Sequence, residues 1–113
     1  MAERALQKGD AGPGWQIWYW EGLTDGDTGA ALELNRLTGL ASSVEMIGTF
    51  GGDVELKGAI EGTSYHSITT PSGNTVSRST AGITEVATTA RTVRPEAGSG
   101  VSDVDVYLLV RSA

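Results

Sequence analysis

The sequence contains no cysteine, which excludes a disulfide framework, a thiol nucleophile and a cysteine-ligated zinc site. Basic residues are also few, since 8 Lys and Arg against 14 Asp and Glu give a formal charge of −6. This balance argues against nucleic-acid binding and against a polybasic membrane patch, because both need lysine and arginine to contact phosphates. Long apolar runs and the apolar stretch of a signal peptide are lacking too. We therefore expect no membrane span, and synthesis and retention in a cytoplasm.

Catalytic side chains are scarce, and a structural explanation is favoured for each candidate. The single histidine, His66, lies in a predicted strand without a nucleophile-elbow spacing, so a structural or exposed role is preferred to that of a general base. Residues 25–27 (Asp-Gly-Asp) begin like a calcium loop but lack its later oxygen ligands, which favours a turn. Asp103 and Asp105 are two positions apart and share one face of a strand. Neighbouring carboxylates on one face indicate a solvated surface. The sequence thus predicts no catalytic, cofactor-binding or metal-binding residues, and a protein that is not an enzyme.

The chain length of 113 residues fits one domain. Residues 1–14 are polar, mixed in charge and end in Gly-Pro-Gly, which cannot continue a helix. We expect this segment to be a flexible N-terminal arm that becomes ordered only against a partner. Residues 15–113 are predicted to form the folded domain.

Apolar residues in this domain recur at every second position, as in strands that cover a core with one face. The clearest runs are residues 43–50 and 53–60, which are joined by Gly51-Gly52. Two alternating runs with such a connection predict a β-hairpin, because tight turns need a positive φ at their central positions. Residues 103–111 alternate in the same way and predict a final strand.

Turn signals divide the domain into short strands. Their spacing of about ten residues predicts an all-β fold, namely a single-domain antiparallel β-sandwich or small barrel of the jelly-roll or Ig-like kind, with about seven or eight strands. For residues 32–37 a single helical turn, ended by Gly39, is the alternative to a strand.

An aromatic cluster is the most unusual feature, since all three tryptophans fall within six positions. In a strand, Trp15 and Tyr19 point to one side while Trp18 and Trp20 point to the other. We take Trp18 and Trp20 as the outward pair; the alternative is that both sides are buried in the monomer. Exposed aromatic rings stack on sugars or anchor protein interfaces. The predicted partner-binding residues are Trp15, Trp18 and Trp20, with Leu6 and Arg4 from the arm.

Four segments resemble motifs of a family of small virion proteins of tailed bacteriophages. They are residues 20–29 (WEGLTDGDTG), 47–58 (IGTFGGDVELKG), 61–65 (EGTSY) and 94–100 (RPEAGSG). The order and spacing of these segments match the family over roughly residues 20–110. The sequence departs from the pattern at residues 59–61, where the family tends to have Ser and Asp, and at Tyr65, which replaces a Trp. The resemblance implies a structural protein of the capsid-decoration or cement kind on the shell exterior, without catalytic residues.

We therefore expect a capsid decoration protein of the virion exterior that bridges neighbouring subunits of the major capsid protein. Closed symmetry at capsid axes favours a homo-oligomer, either a dimer or a trimer. Neither nucleic acid nor a membrane is an expected partner, and no cofactor is expected. The alternatives are a carbohydrate-binding or host-adhesion module that binds a glycan, and another head or tail structural protein.

Overall fold

The computed structural model describes residues 2–9, 12–34 and 39–111, and these residues form twelve β-strands. The strands are β1 (Glu3–Arg4), β2 (Gln7–Gly9), β3 (Trp15–Leu23), β4 (Thr28–Gly29), β5 (Leu32–Glu33), β6 (Leu40–Thr49), β7 (Val54–Ala59), β8 (His66–Ser67), β9 (Ser77–Arg78), β10 (Gly82–Glu85), β11 (Thr92–Ala97) and β12 (Asp103–Arg111). Within these ranges no helix is long and apolar enough to cross a membrane.

The strands form two sheets that pack face to face. The five-stranded sheet has the order β10-β6-β12-β3-β2. The seven-stranded sheet has the order β1-β4-β11-β7-β8, with β5 also paired to β11 and β9 to β7. The predicted all-β sandwich is confirmed. There are more strands than expected because several of them are only two residues long.

The core lies between the sheets and follows the period of two seen in the sequence. In β12 the even-numbered residues from Val104 to Val110 are fully buried, and the odd-numbered residues face outward. Trp20 of β3 is also fully buried, and its indole Nε1–H donates a hydrogen bond to Ala30 O at 2.8 Å. A buried tryptophan needs such a partner for its N–H, so this bond allows the ring to lie in the core.

The predicted hairpin across Gly51-Gly52 is wrong, because its two strands lie in different sheets. β6 pairs with β12 and β10, whereas β7 pairs with β11, β8 and β9. The chain crosses from one sheet to the other at these glycines. Both strands keep one apolar face because each sheet turns its inner face to the same core. A hairpin and a crossing between sheets therefore produce the same alternation in sequence.

The crossing brings two loops into contact at one end of the sandwich. A Cβ on Gly52 would lie 2.2 Å from Ser99 O, and a Cβ on Gly51 would lie 2.6 Å from Gly100 O. The loops are joined by the bond from Gly98 N–H to Asp53 O, 2.8 Å long. Glycine is required here for close approach of two backbones.

The N-terminal segment differs from the expected arm. Residues 3–4 form β1 and pair in parallel with β4, and residues 7–9 form β2 and pair with β3. The described part of residues 1–14 therefore contributes a strand to each sheet, and the boundary placed before Trp15 does not separate an arm from the sandwich there. For the alternative helical turn at residues 32–37, Leu32–Glu33 form β5, and residues 35–38 lie outside the described ranges.

Candidate functional site

Four adjacent strands of the five-stranded sheet turn alternate side chains away from the core. Residues that are paired across antiparallel strands lie on the same face of the sheet. Tyr107 of β12 points outward and pairs with Tyr19 of β3 and with Glu45 of β6. Glu45 in turn pairs with Ile83 of β10. One row of side chains therefore crosses the outer surface from Tyr19 to Ile83.

We call this outer surface the open face. Of its apolar side chains, Trp15, Ile47 and Ile83 are 39%, 44% and 65% exposed. With Leu40, which pairs with the outward Arg111 and is 46% exposed, they are four of the five large hydrophobic side chains that are exposed among the described residues. Clustered exposed apolar side chains mark interaction sites. The apolar residues of the open face are Trp15, Ile17, Tyr19, Leu40, Ile47, Ile83, Tyr107 and Leu109.

The two tyrosines form the middle of the open face. Their rings stack with centroids 5.2 Å apart and an interplanar angle of 22°. Next to them, Ile17 and Ile83 help to line a shallow depression of about 240 Å³. Burial raises the pKa of Tyr107, and the nearby carboxylate of Asp105 raises it further. The hydroxyl of Tyr107 is therefore neutral at ordinary pH, and the nearest charge in the same row is the carboxylate of Glu45.

Carboxylates surround this apolar centre. The outward acidic residues of the same strands are Glu21, Glu45, Glu85, Asp103 and Asp105. Two accept hydrogen bonds: Glu21 from Gln7 Nε2 at 3.1 Å, and Asp105 from the Gly22 N–H at 2.9 Å. Arg111 is the basic residue on these outward positions in the described part of the chain, and no ion pair there involves any of the five carboxylates. The open face thus carries an excess of negative charge.

The predicted tryptophans divide differently from the expectation. Trp15 lies on the open face, whereas Trp20 is fully buried, so its assignment as an outward contact residue is wrong. Trp18 shares the inner side with Trp20 and is half-buried, with Lys8 Nζ of the neighbouring edge strand β2 5.4 Å from its ring centroid. The reason is that the inner side of β3 is the side that pairs with Leu108 and Val106 of β12.

Leu6 and Arg4, the contact residues predicted from the arm, face the sandwich. Leu6 packs against the core. Arg4 forms an ion pair with Asp27, with 2.9 Å between its NH2 nitrogen and Oδ2. In the described structure both residues hold the N-terminal segment in place, and their binding to a partner stays a prediction.

Asp27 is the centre of this attachment and is 2% exposed. Its carboxylate accepts hydrogen bonds from the Thr24 backbone N–H and hydroxyl, each 2.9 Å long, and from the Ala2 N–H at 2.8 Å. The bond from the Thr24 N–H is the largest cause that lowers the pKa of Asp27 below its ordinary value. The turn predicted at residues 25–27 is present, since Asp27 N–H donates to Thr24 O at 2.9 Å. Its aspartate links the turn to the N-terminal segment.

A groove of about 410 Å³ opens beside β8, far from these tyrosines in the sheet order. His66 lines this groove together with Glu61 and Ser64. Its side chain is exposed, which was one of the two roles expected for it. Hydrogen bonds from the Thr63 hydroxyl, the Ser64 N–H and the Thr63 N–H lower the pKa of Glu61 to about 2. The groove therefore presents one imidazole and one carboxylate that is ionised at neutral pH.

Most of the open face was missed by reasoning from the sequence. Ile47 and Tyr107 fall on the polar sides of their predicted strands, and no role was assigned to them or to Leu109. The signal was present, since each is a large apolar residue at a position where alternation calls for a polar one. Such exceptions on two strands predict a second apolar surface once the strands are known to be neighbours.

Comparisons with known proteins establish the fold. No protein-family model and no curated protein matches the sequence. Among solved structures, the prophage-derived protein YomS of SPBc2 is similar, with 13% identity, 90% of this chain and 98% of that chain covered, and a TM-score of 0.63. A cupin domain from Bordetella pertussis Tohama I is similar with 10% identity, coverage of 97% and 95%, and a TM-score of 0.50. At these identities the likeness shows a shared sandwich fold.

The likeness to a cupin domain overturns one prediction. The sequence was taken to exclude an enzyme because catalytic side chains are scarce, and that exclusion is wrong, since the same sandwich is found in the cupin class of domains. The described residues do not supply a metal site of three or more His, Cys, Asp or Glu side chains. The one histidine lies outside the sandwich interior, on β8, so a resident metal does not fit the donor set in this part of the chain.

Part of the phage resemblance is supported. YomS is of prophage origin and shares the fold over nearly its whole length. The membership of this chain in the family of virion proteins stays a prediction. The chain therefore has the β-sandwich fold of a prophage-derived protein and carries an apolar, acidic surface on one of its two sheets.

Proposed function

We propose that this protein is a structural component of a bacteriophage virion that decorates the exterior of the capsid. In this proposal the open face binds the major capsid protein and bridges neighbouring subunits. Two or three copies around a local symmetry axis would hold the subunits together against internal pressure. The observation that carries the proposal is the open face, an apolar surface that nothing within the described chain covers.

Two further features support this function. The motifs at residues 20–29 and 47–58 resemble small virion proteins, and the similar structure YomS comes from a prophage. The net charge of −6 also suits the outside of a shell better than the side that faces DNA.

The test is co-sedimentation of the purified full chain with expanded, undecorated capsids of its own phage. We expect saturable binding at a fixed number of copies per capsid subunit. Replacement of the exposed Ile83 in Ile83→Thr is expected to weaken binding about tenfold, because it removes apolar area from the open face.

The matched control is Ile60→Thr, since Ile60 is 76% exposed and follows β7 of the other sheet. Its binding should equal that of the wild type. No binding by a folded wild-type chain would overturn the proposal, and equal losses in the two variants would remove the open face from it. Immunogold labelling of virions separates a head position from a tail position.

A glycan-binding role is a second candidate, and the exposure of Trp15 favours it. An exposed indole ring at the end of a sheet can stack on a sugar ring. Screening the chain on a broad glycan array tests this function, with Trp15→Ala expected to abolish any binding seen. A blank array with wild-type protein would rule the role out.

A further inference from the structure

We infer that the surface bound by the open face has an apolar centre and a rim rich in lysine and arginine. This inference rests on the proposed function, because it names the chemistry of the partner surface for the same site. It follows from the position of the carboxylates within the open face and from their lack of cationic partners.

The carboxylates lie inside the area that a partner would cover. Glu45 pairs with both Tyr107 and Ile83, and Asp105 pairs with Ile47, so each acid is next to an apolar side chain of the open face. Glu85 pairs with Ser43 in the next row. A partner that buries the apolar centre therefore takes water away from these carboxylates.

Removal of water from a carboxylate is costly unless a donor replaces it. Burial of an unpaired charge costs several kcal/mol, whereas an arginine or lysine opposite it forms a charge-assisted hydrogen bond. Within the described chain no ion pair satisfies Glu45 or Glu85, and Asp105 has one donor, the Gly22 N–H. Cationic donors must consequently come from the partner, and apolar contact at the tyrosines with cations opposite the neighbouring carboxylates matches this face.

A second copy of this chain does not meet that requirement. Glu45 lies in the middle row of the open face, between Tyr107 and Ile83. Pairing of two copies about a two-fold axis through the middle would bring the two Glu45 carboxylates close together, and like charges at an interface oppose association. A homo-oligomer of this protein would then use another surface.

The experiment measures the affinity of the full chain for undecorated capsids between about 50 and 300 mM NaCl. We expect the wild type to bind roughly tenfold more weakly at the higher salt concentration, because salt screens attraction at the rim of an interface. The double variant Glu45→Gln/Glu85→Gln should bind roughly tenfold more weakly at low salt and lose most of the salt dependence. The control Glu3→Gln/Asp25→Asn changes the net charge equally at exposed positions outside the open face and should stay within about twofold of the wild type.

The outcomes separate this inference from the proposed function. Binding that is insensitive to salt, or that is unchanged or strengthened in Glu45→Gln/Glu85→Gln, overturns the basic rim and leaves decoration intact. Failure of the folded wild type to bind capsids overturns both. A dimer in sedimentation equilibrium that Ile83→Thr dissociates would identify a second copy as the occupant and also overturn the inference.

Discussion

The outer faces of the two sheets differ in how many of their carboxylates form ion pairs. On the seven-stranded sheet, Glu96 of β11 forms ion pairs with Lys57 at 3.2 Å and with Arg94 at 3.0 Å. The Arg94 guanidinium also lies 4.0 Å from the ring centroid of Tyr65. On the open face of the five-stranded sheet, the carboxylates lie among exposed apolar side chains without such partners.

Paired charges are typical of a solvated surface, whereas exposed apolar area with unpaired carboxylates is typical of an interaction surface. Charges such as those of Glu96, Lys57 and Arg94 gain little from a partner, because they already have neighbours. Glu55 is the exception on this face, since its Oε2 is buried without a hydrogen-bond partner among the described residues. A face with apolar area and unpaired carboxylates gains both contacts when a complementary surface arrives. Under the proposed function, one outer face contributes to stability and the open face to recognition, and the predictions below test that division.

The largest loss of unfolding free energy is expected for a substitution on the inner side of β3. Trp20→Ala should lower the free energy of unfolding by about 3–5 kcal/mol, because it leaves a cavity and removes the bond to Ala30 O. Trp15→Ala, on the open face of the same strand, should change it by less than about 0.5 kcal/mol. Urea unfolding followed by circular dichroism measures both. Similar losses in the two variants would mean that Trp15 is part of the fold and that the open face is not free.

A smaller loss of unfolding free energy is expected for Asp27→Asn, which keeps the shape of the side chain and removes its charge. We expect a loss of roughly 2–3 kcal/mol at pH 7, because the hydrogen bonds from Thr24, Ala2 and Arg4 are to an ionised acceptor. The carboxylates of the open face lack this set of bonds, so Glu45→Gln is the comparison.

Acid titration of stability checks the same site. The folded-state pKa of Asp27 lies below its ordinary value of 3.8, so its contribution is complete above that pH and is lost as the pH falls towards the folded value. Wild-type stability should therefore decrease in acid, and Asp27→Asn should lose less over that range. A decrease of equal size in the variant would place the acid sensitivity elsewhere.

The crossing between the sheets keeps the two outer faces on opposite sides of the molecule. Gly52→Ala should cost about 2 kcal/mol of unfolding free energy, because its Cβ would lie 2.2 Å from Ser99 O and one loop must move. Gly12→Ala is the control, since nothing lies within 4 Å of the added Cβ. A hairpin at Gly51-Gly52 would instead tolerate Gly52→Ala as well as the control, apart from any cost of the turn conformation itself.

The smallest effect concerns the charged side chains themselves. Glu96→Gln should lower the unfolding free energy by about 1 kcal/mol, since Lys57 and Arg94 lose a shared partner that is only 24% exposed. Glu45→Gln should be neutral within about 0.5 kcal/mol, or slightly stabilising through reduced repulsion. A larger loss for Glu45→Gln than for Glu96→Gln would reverse the comparison.

The period of two in the sequence was sufficient for the fold class but not for strand pairing. It identified β6, β7 and β12 and the side of each that is buried. It could not show that β6 and β7 lie in different sheets. The alternation in sequence is the same whether two consecutive strands are neighbours in one sheet or face each other across the core. The close backbone approach at Gly52 depends on Ser99, far along the chain, and no local pattern contains it.

The candidate site was harder to predict for a related reason. The aromatic cluster directed attention to β3, but which side of that strand is buried depends on its pairing with β12. Trp15 was placed on the side opposite the predicted outward pair and is exposed, whereas Trp20 was assigned to the surface and lies in the core. The rest of the open face comes from strands that are distant in sequence, so its apolar residues form a surface only after folding.

The position of β12 has a consequence for how the protein is made. This strand lies in the middle of the five-stranded sheet, between β3 and β6, and its Asp105 accepts the Gly22 N–H across 83 residues of chain. During synthesis β3 and β6 therefore emerge long before the strand that joins them, and contacts of such sequence separation form slowly. A chain that is interrupted before β12 cannot assemble the open face, so truncated products would lack this surface even where β3 and β6 are intact.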